Sequence, residues 1–209
     1  MIAEILLFQG IDELDALVPF EILQNAKAAG AQIDAKLVSL EGDSEIVGSH
    51  GMRMLPEGRL GAAGRPDVLI VPGGGWNNRA ARGAWAEAQK SALPHAIAKF
   101  HEQGSVVASV CTGAMLLAVA GLVKGRPATT HFEALTELRS AGAEIVDARV
   151  VDDGDLITSG GVTSGLELGF WLVERYGSER LARGIAKQME YEPRGKVWRA
   201  QRPSQGVGV

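Results

Sequence analysis

Two short apolar runs that stop dead at tight turns restrict this fold more than anything else in the chain. Val68-Leu69-Ile70-Val71 ends at Pro72-Gly73-Gly74-Gly75, and residues 105–110 end at Cys111-Thr112-Gly113. Apolar runs without alternation are strands covered on both faces. Each is followed by a stretch with helical spacing: residues 84–103, with a break predicted at Pro94, and residues 112–120, which are apolar on most of their surface. A strand, a glycine-rich turn and a helix in succession is the unit of a parallel sheet, because parallel neighbours need crossover connections.

The same unit recurs elsewhere. Residues 2–8 form an apolar run closed by Gly10, and Leu14, Leu17, Val18, Ile22 and Leu23 carry a helical pattern in which Pro19 is expected to bend or interrupt the helix. A strand follows at residues 35–40, then short edge strands or a hairpin within residues 46–60. Later come a helix near 132–141, strands near 149–152 and 156–159, and helices near 166–175 and 179–189. The expected architecture is a flavodoxin-like α/β sandwich: a mostly parallel central sheet with helices on both faces and a cysteine at a nucleophile elbow. Residues 1–190 are read as one domain and 191–209 as a C-terminal tail without periodicity.

Composition excludes several classes. The 209 residues are 46% hydrophobic and 22% charged, ordinary for a chain that buries a core, and the formal net charge of -4 gives no basic field for nucleic acid. No apolar run reaches the roughly 18 residues that span a bilayer, and residues 2–8 are too short for a secretory signal core, so a cytoplasmic protein is expected. One cysteine makes neither an internal disulfide nor a multi-cysteine zinc site, and no metal-binding motif is present, so no metal is expected.

That cysteine is the leading functional candidate. Ser109-Val110-Cys111-Thr112-Gly113 places a nucleophile between small residues where a strand turns sharply into a helix. Amides at the helix start are expected to favour the Cys111 thiolate and to hold an oxyanion. The alternative is a buried cysteine that packs as a small hydrophobe. Gly74 and Gly75 follow a core strand and could aim backbone N–H groups at a substrate, or simply make a tight turn. Three acids, Asp12, Glu13 and Asp15, crowd a helix start; two could cap it, while Asp15 lies among Leu14, Ala16 and Leu17 and either caps or needs a buried partner. His131, after Thr129 and Thr130, is a candidate substrate-binding residue and a base for Cys111, whereas His50, His95 and His101 have no acid or cysteine context in sequence.

Asp15-Ala16-Leu17-Val18-Pro19, Val71-Pro72-Gly73-Gly74, the Cys111 elbow, Thr129-Thr130-His131 and residues 153–161 together resemble the ThiJ/PfpI superfamily over nearly the whole chain. The resemblance implies a fold related to class I glutamine amidotransferases, a reactive Cys111 and an approaching first-helix acid, Asp15. Cys-Thr-Gly with Asp15 is similar to the isocyanide hydratase branch. It is also similar to a domain of some AraC-like regulators, but no helix-turn-helix follows and a free-standing enzyme is expected. The implied reaction is cofactor-free hydration of an isonitrile to an N-substituted formamide through a thioimidate on Cys111, with Asp15 or Thr112 handling the proton. Alternatives are a glyoxalase-like activity on methylglyoxal, which the shorter Asp15 disfavours, and a redox sensor at Cys111. Relatives imply a homodimer with the site near its interface and a small-molecule substrate.

Overall fold

A computed structural model describes residues 1–195 and 197–200. In chain order the elements are β1 (Ile2–Leu7), α1 (Glu13–Ala28), β2 (Asp34–Ser39), β3 (Ile46–Val47), β4 (Arg53–Met54), β5 (Val68–Val71), α2 (Ala84–Lys90) and α3 (Ala92–Glu102). There follow β6 (Val106–Ser109), α4 (Gly113–Val119), β7 (Pro127–Ala128), a 3₁₀ turn (Phe132–Ala134), α5 (Leu135–Ser140), β8 (Glu144–Ile145), β9 (Val150–Asp152), β10 (Leu156–Ser159), α6 (Ser164–Tyr176), α7 (Glu179–Gln188) and β11 (Trp198–Arg199).

Seven strands form the central sheet in the order β11-β9-β10-β6-β5-β1-β2, parallel throughout except where β9 runs against β10. The interior strand β5 is wholly buried, as its unalternating sequence requires. Helices α1, α6 and α7 pack together on one face, and α2 to α5 on the other. The flavodoxin-like sandwich is therefore the fold. Among the described residues no helix is long and apolar enough to cross a membrane.

Three local readings need correction. Helix α1 runs unbroken through Pro19. Proline's missing N–H costs one bond, to the carbonyl four residues back, and that carbonyl belongs to Asp15. The break between α2 and α3 falls at Ser91, in the left-handed conformation, while Pro94 sits in the first turn of α3, where no N–H bond is needed. Finally, residues beyond Glu192 are not all irregular: Trp198 and Arg199 pair with β9 as an edge strand. The hairpin expected within residues 46–60 is β3–β4, and its turn leans on the β1–α1 loop through Gly10 N–H to the Val47 carbonyl (2.9 Å) and Ser49 N–H to the Ile11 carbonyl (2.8 Å).

Candidate active site

The β1–α1 loop, the turns after β5 and β6 and the turn after β10 meet at one end of the sheet, beyond the strands' carboxyl ends. Cys111 lies between β6 and α4 with φ of 56°, a left-handed conformation that a side chain adopts only when its surroundings impose it. Those surroundings are specific. Cys111 N–H donates to the Gly160 carbonyl at 2.9 Å, and Thr130 Oγ1 donates to the Cys111 carbonyl at 2.8 Å. The turn also needs glycine next door: a Cβ on Gly113 would lie 2.0 Å from the Val71 carbonyl oxygen.

Asp15, fully buried on the first turn of α1, faces this elbow. Its Oδ2 accepts the Gly73 N–H at 3.0 Å. Its Oδ1 has no well-aligned nitrogen or oxygen partner, and the Cys111 thiol is the group that bonds to this carboxyl. Burial, reinforced by the charge of Asp12, pushes the Asp15 carboxyl up to about 8 despite those two bonds. Burial and the Asp15 charge push the Cys111 thiol up to about 12, against the N–H groups of Val162 and Thr112, which donate to the sulfur. The thiolate expected from the helix start is thus not the resting species. Desolvation outweighs two backbone donors, and the pair rests as a thiol beside a carboxyl that burial holds well above the usual carboxylate range.

Thr112, also buried, accepts the Gly74 N–H on its hydroxyl at 3.0 Å, which leaves the hydroxyl proton for another acceptor. Gly74 is locked rather than open, because its carbonyl accepts the Ala84 N–H at 2.8 Å and a Cβ on it would meet Asp12 N at 2.4 Å. The Gly75 carbonyl accepts Ala80 N–H at 3.0 Å. Both glycines shape the loop behind the elbow.

A profile of the DJ-1/PfpI family matches residues 2–175. This chain belongs to the DJ-1/PfpI family. Among similar DJ-1/PfpI-like proteins, isonitrile hydratase of Pseudomonas putida is 32% identical over 188 residues, covering 90% of this chain and 77% of the relative. A deglycase of Thermococcus kodakarensis is 30% identical over 157 residues, covering 74% of this chain and 87% of the relative. The crystal structure of a ThiJ/PfpI family protein from Pseudomonas syringae superposes with a TM-score of 0.79 at 26% identity, over 100% of this chain and 78% of that one. The DJ-1/PfpI family thus includes enzymes, and the names of its members cover more than one reaction.

Within this DJ-1/PfpI fold, Cys111, Asp15 and Thr112 come together as the sequence suggested. His131 makes its hydrogen bonds elsewhere: its Nδ1 accepts from Asn77 Nδ2 (3.2 Å) and the Glu133 N–H (3.3 Å), and its ring meets Phe132 at a tilt and packs against Gly161. No hydrogen bond joins it to Cys111 or Asp15 among the described residues. Of the other two acids, Asp12 caps α1 by accepting the Leu14 N–H (3.2 Å). Glu13 does something sequence gives no hint of. Buried, it reaches the hairpin turn, where Oε1 accepts the His50 N–H (2.8 Å) and Met52 N–H (3.3 Å) and Oε2 takes His50 Nδ1 (2.7 Å). These bonds hold the Glu13 carboxyl below its ordinary value although burial alone would raise it, and Glu13 raises exposed His50 in turn.

Asp12, Glu13 and His50 also place three potential ligand atoms within 4.8 Å of one another, the cluster among the described residues that could hold a metal ion. A metal there would have to displace the His50–Glu13 bond. The Val162 donor is the other group that sequence reasoning missed, since nothing around it in the chain marks a backbone amide. A cavity of about 930 Å³ lies elsewhere, between α6, α7 and residues 190–195 and 197–199, and none of Cys111, Asp15 or Thr112 lines it.

Proposed function

We propose that this protein is a cysteine-dependent isonitrile hydratase-like enzyme that converts R–N≡C to the formamide R–NH–CHO without metal or organic cofactor. The observation that carries the reading is the Cys111–Asp15 pair: the chain's single cysteine bonded to a buried aspartate, with two backbone donors aimed at the sulfur. The likeness to the Pseudomonas putida hydratase supports the same substrate class.

The reactive form of the pair carries one proton between sulfur and carboxyl. Asp15 takes the thiol proton as Sγ bonds the terminal isonitrile carbon, and returns it to that carbon, giving the thioimidate R–N=CH–S–Cys111. Water then adds to the carbon with Asp15 as base, and nitrogen receives a proton, which the Thr112 hydroxyl is placed to relay. The C–S bond breaks, sulfur leaves with the remaining proton, and the formamide departs with the pair restored. Val162 and Thr112 N–H groups stabilise charge on sulfur as it leaves, each worth up to about 3 kcal/mol by analogy with oxyanion donors. A carboxyl that titrates near neutrality is suited to serve as acid and base in alternate steps. The enzyme is proposed to act in the cytoplasm as a homodimer.

The test is spectrophotometric hydration of an aromatic isonitrile beside Cys111→Ala and Asp15→Asn, with methylglyoxal as control. Formamide formation that Cys111→Ala abolishes and Asp15→Asn reduces at least a hundredfold is expected. Consumption of methylglyoxal but not of the isonitrile would replace this reading with the glyoxalase-like one.

A further inference from the structure

A cleft of about 490 Å³ adjoins the Cys111 turn, lined by Asp12, Glu13, Leu14, His50, Met52 and Val162. Two links tie it to the chemistry. Val162 in its wall donates its N–H to the Cys111 sulfur, and the Asp12 charge acts on both Asp15 and Cys111. Its volume is that of a small-molecule site. Leu14 and Met52 each stand half exposed in it, at 50%, an unusual state for two large apolar side chains that line one cleft.

Met52 belongs to the β3–β4 turn, and Glu13 holds that turn against α1. His50 is the one cation on the wall and faces two carboxylates, Glu13 and Asp12, so the wall disfavours anions. The clasp has a steric signature: a Cβ on Gly48 would lie 2.2 Å from Glu13 Oε1, so the glycine leaves the space that the carboxylate fills. Nothing in the reaction uses Glu13, yet it is buried two residues before the catalytic acid.

We infer that Leu14 and Met52 form the specificity wall for the N-substituent of the substrate, which is a neutral apolar group of phenyl or cyclohexyl size, and that Glu13 is the positioning residue that holds the Met52 side of the wall in place. The substrate part of this inference rests on the hydratase reading. The wall itself does not, because the chain's single cysteine lets its effect on Cys111 be read without turnover.

Two measurements separate the two ideas. In the first, kcat/KM is compared for phenyl isonitrile and for methyl isonitrile and isocyanoacetate. The wild type should favour the phenyl compound, and Met52→Ser should cut the phenyl-to-methyl ratio about tenfold, the discrimination an apolar pocket draws from one or two methylenes. In the second, Cys111 is alkylated with N-phenyl-iodoacetamide and with iodoacetamide, rates are normalised to glutathione, and the label is read by intact mass. The phenyl probe should be favoured, and Met52→Ser, Glu13→Gln and Gly48→Ala should each lower that preference. Gly48→Ala evicts the flexible Glu13 side chain without changing any charge, so it separates position from electrostatics. If no isonitrile turns over but the alkylation preference follows the wall, the hydratase reading fails and the wall stands. If all three folded variants keep the wild-type preference, the wall is refuted. A change in sedimentation of Met52→Ser at unchanged preference would give the patch to a second copy of the chain and also overturn the inference.

Discussion

Replacing Asp15 by Asn should change how stability depends on pH. The Asp15 carboxyl titrates at about 8 in the folded protein against 3.8 for the free group. A folded state that holds a proton the unfolded state has released loses stability as pH rises between the two values. Each pH unit in that window is worth about 1.4 kcal/mol. From pH 5 to pH 8 the buried carboxyl therefore removes up to about 4 kcal/mol, a large part of the 5–15 kcal/mol typical of a domain. Cys111 adds nothing below pH 8, since its thiol is protonated in both states there. Asparagine keeps the acceptor for the Gly73 N–H and cannot ionise. Urea unfolding of both proteins at pH 5, 6, 7 and 8 should show wild type weakening relative to Asp15→Asn by several kcal/mol across the series, with all other titrating groups cancelling in the comparison. Parallel trends would refute the claim that this carboxyl is held protonated by its burial.

Activity should run the other way. If the reactive pair carries one proton, kcat/KM for an isonitrile rises with pH toward an apparent value near 8, and a flat profile from pH 6 to 9 would disconnect Asp15 from the chemistry. Gly113→Ala should lose at least about 2 kcal/mol in thermal or urea unfolding, because its Cβ meets backbone rather than a movable side chain. Thr130→Val should lose about 1–2 kcal/mol and lower kcat more than it raises KM, since the hydroxyl holds the elbow carbonyl, while Thr130→Ser should retain both; equal effects from the two variants would assign Thr130 to packing alone. His131→Ala should cost less than tenfold in kcat, and a hundredfold loss would bring the imidazole into the reaction.

The sheet was legible because its central strands are short apolar runs that end in residues only a turn can use; Val71-Pro72-Gly73 and Val110-Cys111-Thr112-Gly113 each mark a strand end and a site in the same few letters. Asp15 could be suspected because an acid among Leu14, Ala16 and Leu17 has nowhere polar to go. Glu13 could not, since its partners are amides of a hairpin 35 or more residues away and helical position says only that it sits near a positive dipole end. Val162 contributes through its backbone, which has no residue type to read. The protonation of Cys111 was misjudged for a related reason: the helix start is visible in sequence, but the burial and facing carboxyl that oppose it are tertiary. Pro19 and Pro94 were read as breakers because proline's cost is usually decided by sequence alone, whereas here the packing of α1 against α6 and the first-turn placement in α3 decide it.

The left-handed backbone of Cys111 bears on which inactive variant serves as a control. Any residue with a Cβ pays about 1–2 kcal/mol to hold that conformation, and glycine does not. Cys111→Gly should therefore be more stable than Cys111→Ala, the reverse of the usual order of the two residues, and the alanine form is the fairer match to wild type. The same asymmetry biases laboratory evolution: a screen for heat resistance alone rewards loss of the thiol, so any search for sturdier variants has to score turnover in every round.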